Sequence, residues 1–324
     1  MRAVVIADAA LHVEERLTPS PGPGQVRLRV RSAGINAADL LQRGGFYPAP
    51  PDAPSDIPGL EAMGIVEALG DGVDEQWRDQ RVCAVVGGGG QATHIVVPAS
   101  HLLPVPEHVH DAHAGGFAET FSTAYDALVV QAAVSAGDRV LISGAAGGVG
   151  TAAIQIARSR GAHVTAVVRQ RTHVEALHDL GASEVVTIEH VRDLGTFDVV
   201  LELVGAAHLE VAQHQFAPHA RVVIIGIGGG ATAQLDLRRI MMTRTSLTGS
   251  TLRARTNGQK AELAALMRND VLPLWRSGTF HVPLAASFAL DDVTDAYAYF
   301  SRPGKLGKVV LTMPLALWCR TLRA

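Results

Sequence analysis

The chain has 324 residues, 48% of them hydrophobic and 18% charged, with a formal net charge of −3. This composition supplies apolar material for two domains and argues against a general polyanion-binding surface. The only cysteines, Cys83 and Cys319, rule out a disulfide framework and a four-cysteine zinc site, and no apolar run reaches membrane-spanning length.

The first residues, Met1–Arg16, gain charge early and lack a secretory apolar region with a cleavage site. The expected location is therefore the cytoplasm. Residues 1–117 read as β-rich. Arg2–Ile6, His12–Arg16, Gln25–Ala33 and Gly64–Leu69 are alternating or β-branched runs separated by Gly and Pro. Pro19–Gly24 is an exposed turn. Strict alternation from Val26 to Arg31 predicts one buried face of Val26, Leu28 and Val30. Asn36–Arg43 is a short helix. Pro48, Pro50, Pro51, Pro54 and Pro58 keep Phe46–Pro58 out of a helix. Arg81–Val86 and Ala92–Val97 are strands around a Gly87–Gly90 loop.

From residue 118 the rhythm changes. A helix at Thr123–Val134 precedes strands at Arg139–Ser143, His163–Val168, Glu184–Ile188, Asp198–Leu203, Arg221–Gly226 and Ser246–Thr251. Thr172–Leu180 and Ala207–Phe216 suit crossover helices. Six strands with crossovers predict an α/β fold with a doubly wound parallel sheet over 118–260. A helix at Gly258–Arg276, strands at Ala285–Leu290 and Lys308–Thr312, and a helix at Asp291–Tyr299 follow. Residues 261–324 are expected to complete the first domain, into which the sheet domain is inserted.

The strongest local signal is the strand Arg139–Ser143, the loop Gly144-Ala145-Ala146-Gly147-Gly148-Val149-Gly150, and the helix Thr151–Arg160. Strand, glycine loop and helix form a diphosphate cradle, because the helix start offers backbone N–H groups and the positive end of a dipole. Gly144, Ala145, Gly147, Gly148 and Val149 are the expected cofactor contacts. The glycines stand three apart, unlike the commoner G-x-G-x-x-G. An NAD-type site carries an acid after its second strand. Here Arg169-Gln170-Arg171 follows His163–Val168. A guanidinium forms a forked, charge-assisted contact with a 2′-phosphate. Arg169, with Arg171 second, therefore points to NADPH.

Three further motifs carry a resemblance: Asn36–Tyr47 (NAADLLQRGGFY), Gly59–Gly64 (GLEAMG) and the glycine loop. The turn Gly88–Ala92, the segment Ser246–Arg255 (SLTGSTLRAR) and Gly307–Val310 add to it. With these the chain resembles the zinc-independent medium-chain dehydrogenase/reductases, in their NADPH quinone oxidoreductase branch. The likeness runs from Met1 to about Pro314 and leaves a separate tail. It implies a Rossmann domain inserted in a GroES-like catalytic domain, with quinone reduction in a cleft between them. Asn36 and Leu60 hold the positions where zinc-bearing relatives place a cysteine and a histidine ligand, and Leu60 cannot ligate. The histidines His108, His110 and His113 read as a solvated loop, so no metal is expected.

The same resemblance places Thr123 and the backbone of Gly226 and Ile227 at the nicotinamide carboxamide. Val204 lies by the ring, Leu252 and Arg253 on an opposing loop, and Lys308 near a phosphate. Asn36 and Tyr47 line the substrate pocket. A phenol such as Tyr47 can also donate to the phenolate oxygen that hydride transfer creates. Asp39 reads as a helix-stabilising charge and Glu61 as a buried structural partner. The resemblance further implies a homodimer through Ser246–Thr251, an edge strand open to pairing. Two alternatives remain: a 2-enoyl or alkenal double-bond reductase, and an NADPH-binding, crystallin-like structural or RNA-binding protein. The net charge of −3 speaks against the latter.

Overall fold

A computed structural model describes residues 1–314; the expected tail after Pro314 lies outside the described residues. The alternation at the N-terminus produces a ribbon of β1 (Arg2–Ala7) and β2 (Ala10–Glu15). It also produces β3 (Gln25–Ile35), whose Val26, Leu28 and Val30 are buried. On the other face, Arg27 Nε donates to Glu67 at 2.6 Å. Helix α1 (Ala37–Arg43) begins after Asn36, because Asn36 is its cap and the Asp39 carboxylate accepts the Asn36 N–H at 2.8 Å.

Strands β4 (Glu61–Leu69) and β5 (Arg81–Val85) pair antiparallel. Strand β4 starts three residues before its expected start at Gly64. Strand β6 (His94–Pro98) pairs with β3 and starts later than expected, since Ala92 forms only an isolated bridge with Ala3. The short β7 (Leu103–Pro104) and the single-turn α2 (Asp111–Ala114) follow.

The second unit comprises residues 116–285 with 301–308. Helix α3 (Ala118–Tyr125) starts five residues before the expected Thr123 and gives way to a π-helical turn, Asp126–Gln131. Its start is fixed by packing that local propensity does not report. Phe117 stacks on Phe121 and on Trp275, with ring centroids 4.4 and 3.6 Å apart.

Six parallel strands then lie in the order β10-β9-β8-β11-β12-β13. In chain order the elements are β8 (Arg139–Ile142), α4 (Gly148–Ser159), β9 (His163–Val168), α5 (Val174–Leu180), β10 (Glu184–Thr187), β11 (Phe197–Glu202), α6 (Ala206–Ala212), β12 (Phe216–Ile224), α7 (Leu237–Thr243) and β13 (Ser246–Gly249). This is the doubly wound order, with its reversal between β8 and β11. Leu141, Val167, Phe197, Val200, Leu209, Phe216 and Val222 form the core of the unit. Helix α7 was not expected from the sequence; Asp236 caps it by accepting the Arg239 N–H.

The expected helix Gly258–Arg276 is two helices, α8 (Asn257–Asp270) and α9 (Leu272–Arg276). Pro273 has no N–H and cannot continue a helix. The expected boundary at 261 also moves, because residues up to 285 belong to the second unit. Trp275 packs on Phe117, and Gln155 exchanges two hydrogen bonds with the His281 backbone, each 2.9 Å. Residues 286–300 and 309–314 join residues 1–115 in the first unit. They supply most of β14 (Leu284–Ala289), α10 (Val293–Ser301) and β15 (Lys308–Thr312), and β15 pairs antiparallel with β3.

Candidate active site

Where the order of the parallel strands reverses, a buried carboxylate shapes the chain. Glu202, at the end of β11, accepts the Ser143 hydroxyl at 2.6 Å and the N–H groups of Val204 and Gly205 at 2.7 Å each. Ser143 Oγ in turn accepts the Leu203 N–H at 2.7 Å. The backbone after both central strands is thereby held in one conformation. Glu202 was missed from sequence, although an acid inside the apolar run Val199–Val204 is a signal for it.

In the glycine loop, Ala145 N–H is spent on Val167 O at 3.1 Å and Gly147 N–H on Gly144 O at 3.0 Å. Helix α4 begins at Gly148, three residues before the expected Thr151, and Thr151 N–H donates back to Gly147 O at 2.9 Å. The amides of Gly148, Val149 and Gly150 stand at the first three helical positions, which have no intrahelical acceptor. A Cβ on Gly150 would lie 2.6 Å from Ala145 Cα, so only glycine lets the loop close on the helix.

Lys308 is brought to this helix start. Its stem is buried between two glycines. A Cβ on Gly148 would come within 2.5 Å of Lys308 Cδ, and one on Gly116 within 2.8 Å of its Cγ. Gly307 N–H donates to Ala146 O at 2.8 Å, tying the approach to Lys308 to the loop. Thr120, also missed from sequence, reaches the same spot: its methyl lies 2.9 Å from a Cβ on Gly148. Thr123 is buried one turn further along α3 and donates to Glu119 at 3.2 Å.

Val204 Cγ2 lies 3.3 Å from the position of a Cβ on Gly144. Gly226 N–H donates to Glu202 O, and Gly229 N–H to Val204 O. Gly144, Val204 and Gly226 are therefore gathered at the ends of β8, β11 and β12. Ile227 beside them is exposed, whereas Leu252 and Arg253 are buried.

Past the end of β9, Arg169 and Arg171 are exposed. His173 Nε2 lies 2.9 Å from Gly304 O and links this turn to the segment 301–308. That segment carries Lys305, whose Nζ donates to Arg302 O at 3.0 Å. Burial, with the charge of Arg169 added, pushes the Lys305 ammonium below its usual range. Arg169 thus has a second cation beside it in Lys305, which sequence reasoning missed; its signal was a lysine three residues before Lys308. Burial also pushes His208 down, against Glu202 and Glu189.

In the first unit, Asn36, Asp39, Glu61, Gln91 and Tyr297 form a buried polar cluster. Asn36 Nδ2 donates to Glu61 Oε1 at 3.1 Å. The Asp39 carboxylate accepts the N–H groups of Asn36 and Gly59, at 2.8 and 3.1 Å, and the Gln91 amide at 3.4 Å. Gln91 Oε1 accepts the Tyr297 hydroxyl at 3.0 Å. Burial, reinforced by the Asp39 charge, pushes the Tyr297 phenol well up. Asp39 and Glu61 are both fully buried, in the structural roles expected of them. Asn36 spends an amide N–H on Glu61, which fixes the plane of its side chain. Tyr47 is half-buried in the bend after α1.

Leu60 is buried and apolar. Among the described residues, no group of three or more His, Cys, Asp or Glu side chains could hold a metal ion. His110 instead caps α2, accepting the Ala112 N–H. No helix among the described residues is long and apolar enough to cross a membrane.

Comparison with known proteins matches both units. Residues 22–107 fit the family profile described as an alcohol dehydrogenase GroES-like domain, and residues 148–269 that of a zinc-binding dehydrogenase. The chain is 31% identical over 94% of its length to a component of the phenolphthiocerol/phthiocerol polyketide synthase of Mycobacterium tuberculosis, of which it spans only 14%. It is 27% identical to the quinone oxidoreductase of Rattus norvegicus, with 92% of each chain covered. A thermostable alcohol dehydrogenase from Pyrobaculum aerophilum superimposes with a TM-score of 0.84 at 29% identity, covering 96% of this chain and 99% of that one.

Proposed function

We propose that this chain, which belongs to the medium-chain dehydrogenase/reductase superfamily, reduces quinones with NADPH and without a metal. The observation that carries the cofactor reading is Lys308. Its buried stem lies against Gly148 at the start of α4, so a lysine and the free amides of a helix start, which suit a diphosphate, stand together. The fit is specific: small residues keep the surface bare, and the amides of Gly148, Val149 and Gly150 are the donors. Arg169 and Lys305 are the partners for a 2′-phosphate, with Arg171 next to them in sequence. Val204, Thr123, Gly226, Ile227, Leu252 and Arg253 remain the proposed nicotinamide contacts.

Bound NADPH supplies a hydride. The protein's part is to bind, orient and protonate. Glu61 holds the Asn36 amide in place, and Asn36 with Tyr47 polarises the acceptor oxygen. The Tyr47 phenol donates the proton to the oxyanion. A second copy of the chain covers β13, all four of whose residues are exposed, beside α7 with Leu237, Met241 and Met242 at 76, 70 and 68% exposure. Light scattering at twice the chain mass tests that pairing.

The test of function is a substrate panel run with NADPH and with NADH. Oxidation of NADPH by 1,2- or 1,4-naphthoquinone is expected. Turnover with enals or enoyl thioesters but not quinones replaces this reading with the second one, a double-bond reductase. Replacing both Arg169→Ala and Lys305→Ala should weaken NADPH about a hundredfold, as expected for two lost charge-assisted contacts, and leave NADH unchanged. Equal losses for the two dinucleotides would refute the 2′-phosphate assignment.

A further inference from the structure

We propose that Asp126 is a positioning residue for the cofactor, gathering both ends of the segment Ser250–Arg255 onto one buried carboxylate. This rests on the reading above, in which Leu252 and Arg253 face the nicotinamide. Asp126 is the first residue of the π-helical turn that follows α3, a distortion that recurs at functional sites. Its carboxylate is buried, and its two oxygens have separate duties. Oδ1 accepts Arg255 Nη1 at 2.5 Å. Oδ2 accepts Arg255 Nη2 at 2.7 Å, Ser250 Oγ at 3.2 Å and the Gln131 amide. Gln131 also donates to Ser250 Oγ at 2.7 Å.

The segment is thus tied at its first and last residues to the same group. The segment leaves the end of β13, and Ser250 N–H donates to Ile224 O at 2.9 Å, which ties its start to the end of β12. Arg255 N–H donates to Leu252 O at 3.1 Å and closes a turn within it. Buried Lys260 donates to the Arg253 carbonyl at 3.2 Å and holds the middle.

A forked guanidinium–carboxylate pair fixes direction as well as distance, which a lysine cannot do. Asp126 also directly follows α3, the helix of Thr120 and Thr123. One carboxylate therefore sets the register between proposed cofactor contacts on two elements, Thr123 on the helix and Leu252 and Arg253 on the segment.

NADPH titration by fluorescence, beside thermal unfolding and quinone kinetics, separates positioning from mere support. Arg255→Lys keeps the charge and loses the fork. It should raise the NADPH dissociation constant about tenfold while the KM for naphthoquinone stays put. Ser250→Ala keeps the ion pair and loses one tether, and about threefold is expected for a single neutral hydrogen bond. If Arg255→Lys does not fold, Ser250→Ala decides the matter. Folded variants that bind NADPH as the parent does, or that only melt earlier, overturn the proposal. A parent chain that binds neither dinucleotide overturns the cofactor reading and this inference with it; a binding parent with indifferent variants overturns the inference alone.

Discussion

The two units build their candidate sites from different material. In the parallel-sheet unit the surface offered to a ligand is backbone: the amides at the start of α4, bared by Gly147, Gly148 and Gly150, with Glu202 holding the neighbouring turn in shape. In the β-rich unit it is side chain. Asn36 is presented on a helix cap and propped by Glu61 and Asp39, behind which stand Gln91 and Tyr297. Both units bury carboxylates, and both use them to accept backbone N–H groups. The difference lies in tolerance. A surface made of backbone has no substitute for glycine, whereas a side-chain cluster can lose one member and keep its outline.

That contrast is broken most severely at Gly150. Gly150→Ala would place a methyl 2.6 Å from both Ala145 Cα and Gly144 O, atoms that belong to the main chain and cannot step aside. Overpacking of this kind costs about 1–3 kcal/mol of stability. NADPH affinity measured by fluorescence titration should fall at least about a hundredfold; an alanine variant that binds normally would show that the loop is not the cradle.

A smaller and differently directed effect is expected at Asn36. Asn36→Ala removes the amide from the buried Glu61 carboxylate, at about 1–3 kcal/mol for a buried group that loses a partner. Quinone kcat/KM should drop about tenfold with the NADPH dissociation constant unchanged. A loss of NADPH affinity in stopped-flow binding would erase the division of labour between the units.

The finest comparison is between two tyrosines whose phenols are pushed up, in both cases chiefly by burial. Tyr297 donates to a neutral amide, Gln91, whereas Tyr125 donates to Asp270 at 2.6 Å and its pKa is raised from 10 to about 12. A folded-state pKa above the unfolded value stabilises the fold at lower pH, and this contribution is lost as pH rises from 10 to about 12. Tyr125→Phe should therefore lose stability less steeply than the parent across that window in denaturant melts. Parallel pH profiles for the two proteins would remove Tyr125 from the alkaline transition.

Much of this protein was legible in its sequence, because the relevant information is local. Alternation from Val26 to Arg31 depends on a period of two, and it marked the face that is buried. The glycine loop pointed to a dinucleotide site because a strand precedes it and a helix follows it, the local context that a diphosphate cradle requires. Arginine in place of an acid after Val168 is the local feature on which the proposed preference for NADPH rests. The tertiary structure decided what depends on residues far apart in the chain. Stacking of Trp275 on Phe117 moved the start of α3 and drew residues 261–285 into the second unit. Lys305 became a neighbour of Arg169, and Lys308 of Gly148, only because the segment 301–308 returns to the glycine loop. The partnership of Asp126 with Arg255 spans 129 residues of chain. Such contacts are set by packing and charge pairing after collapse, and neither periodicity nor spacing records them.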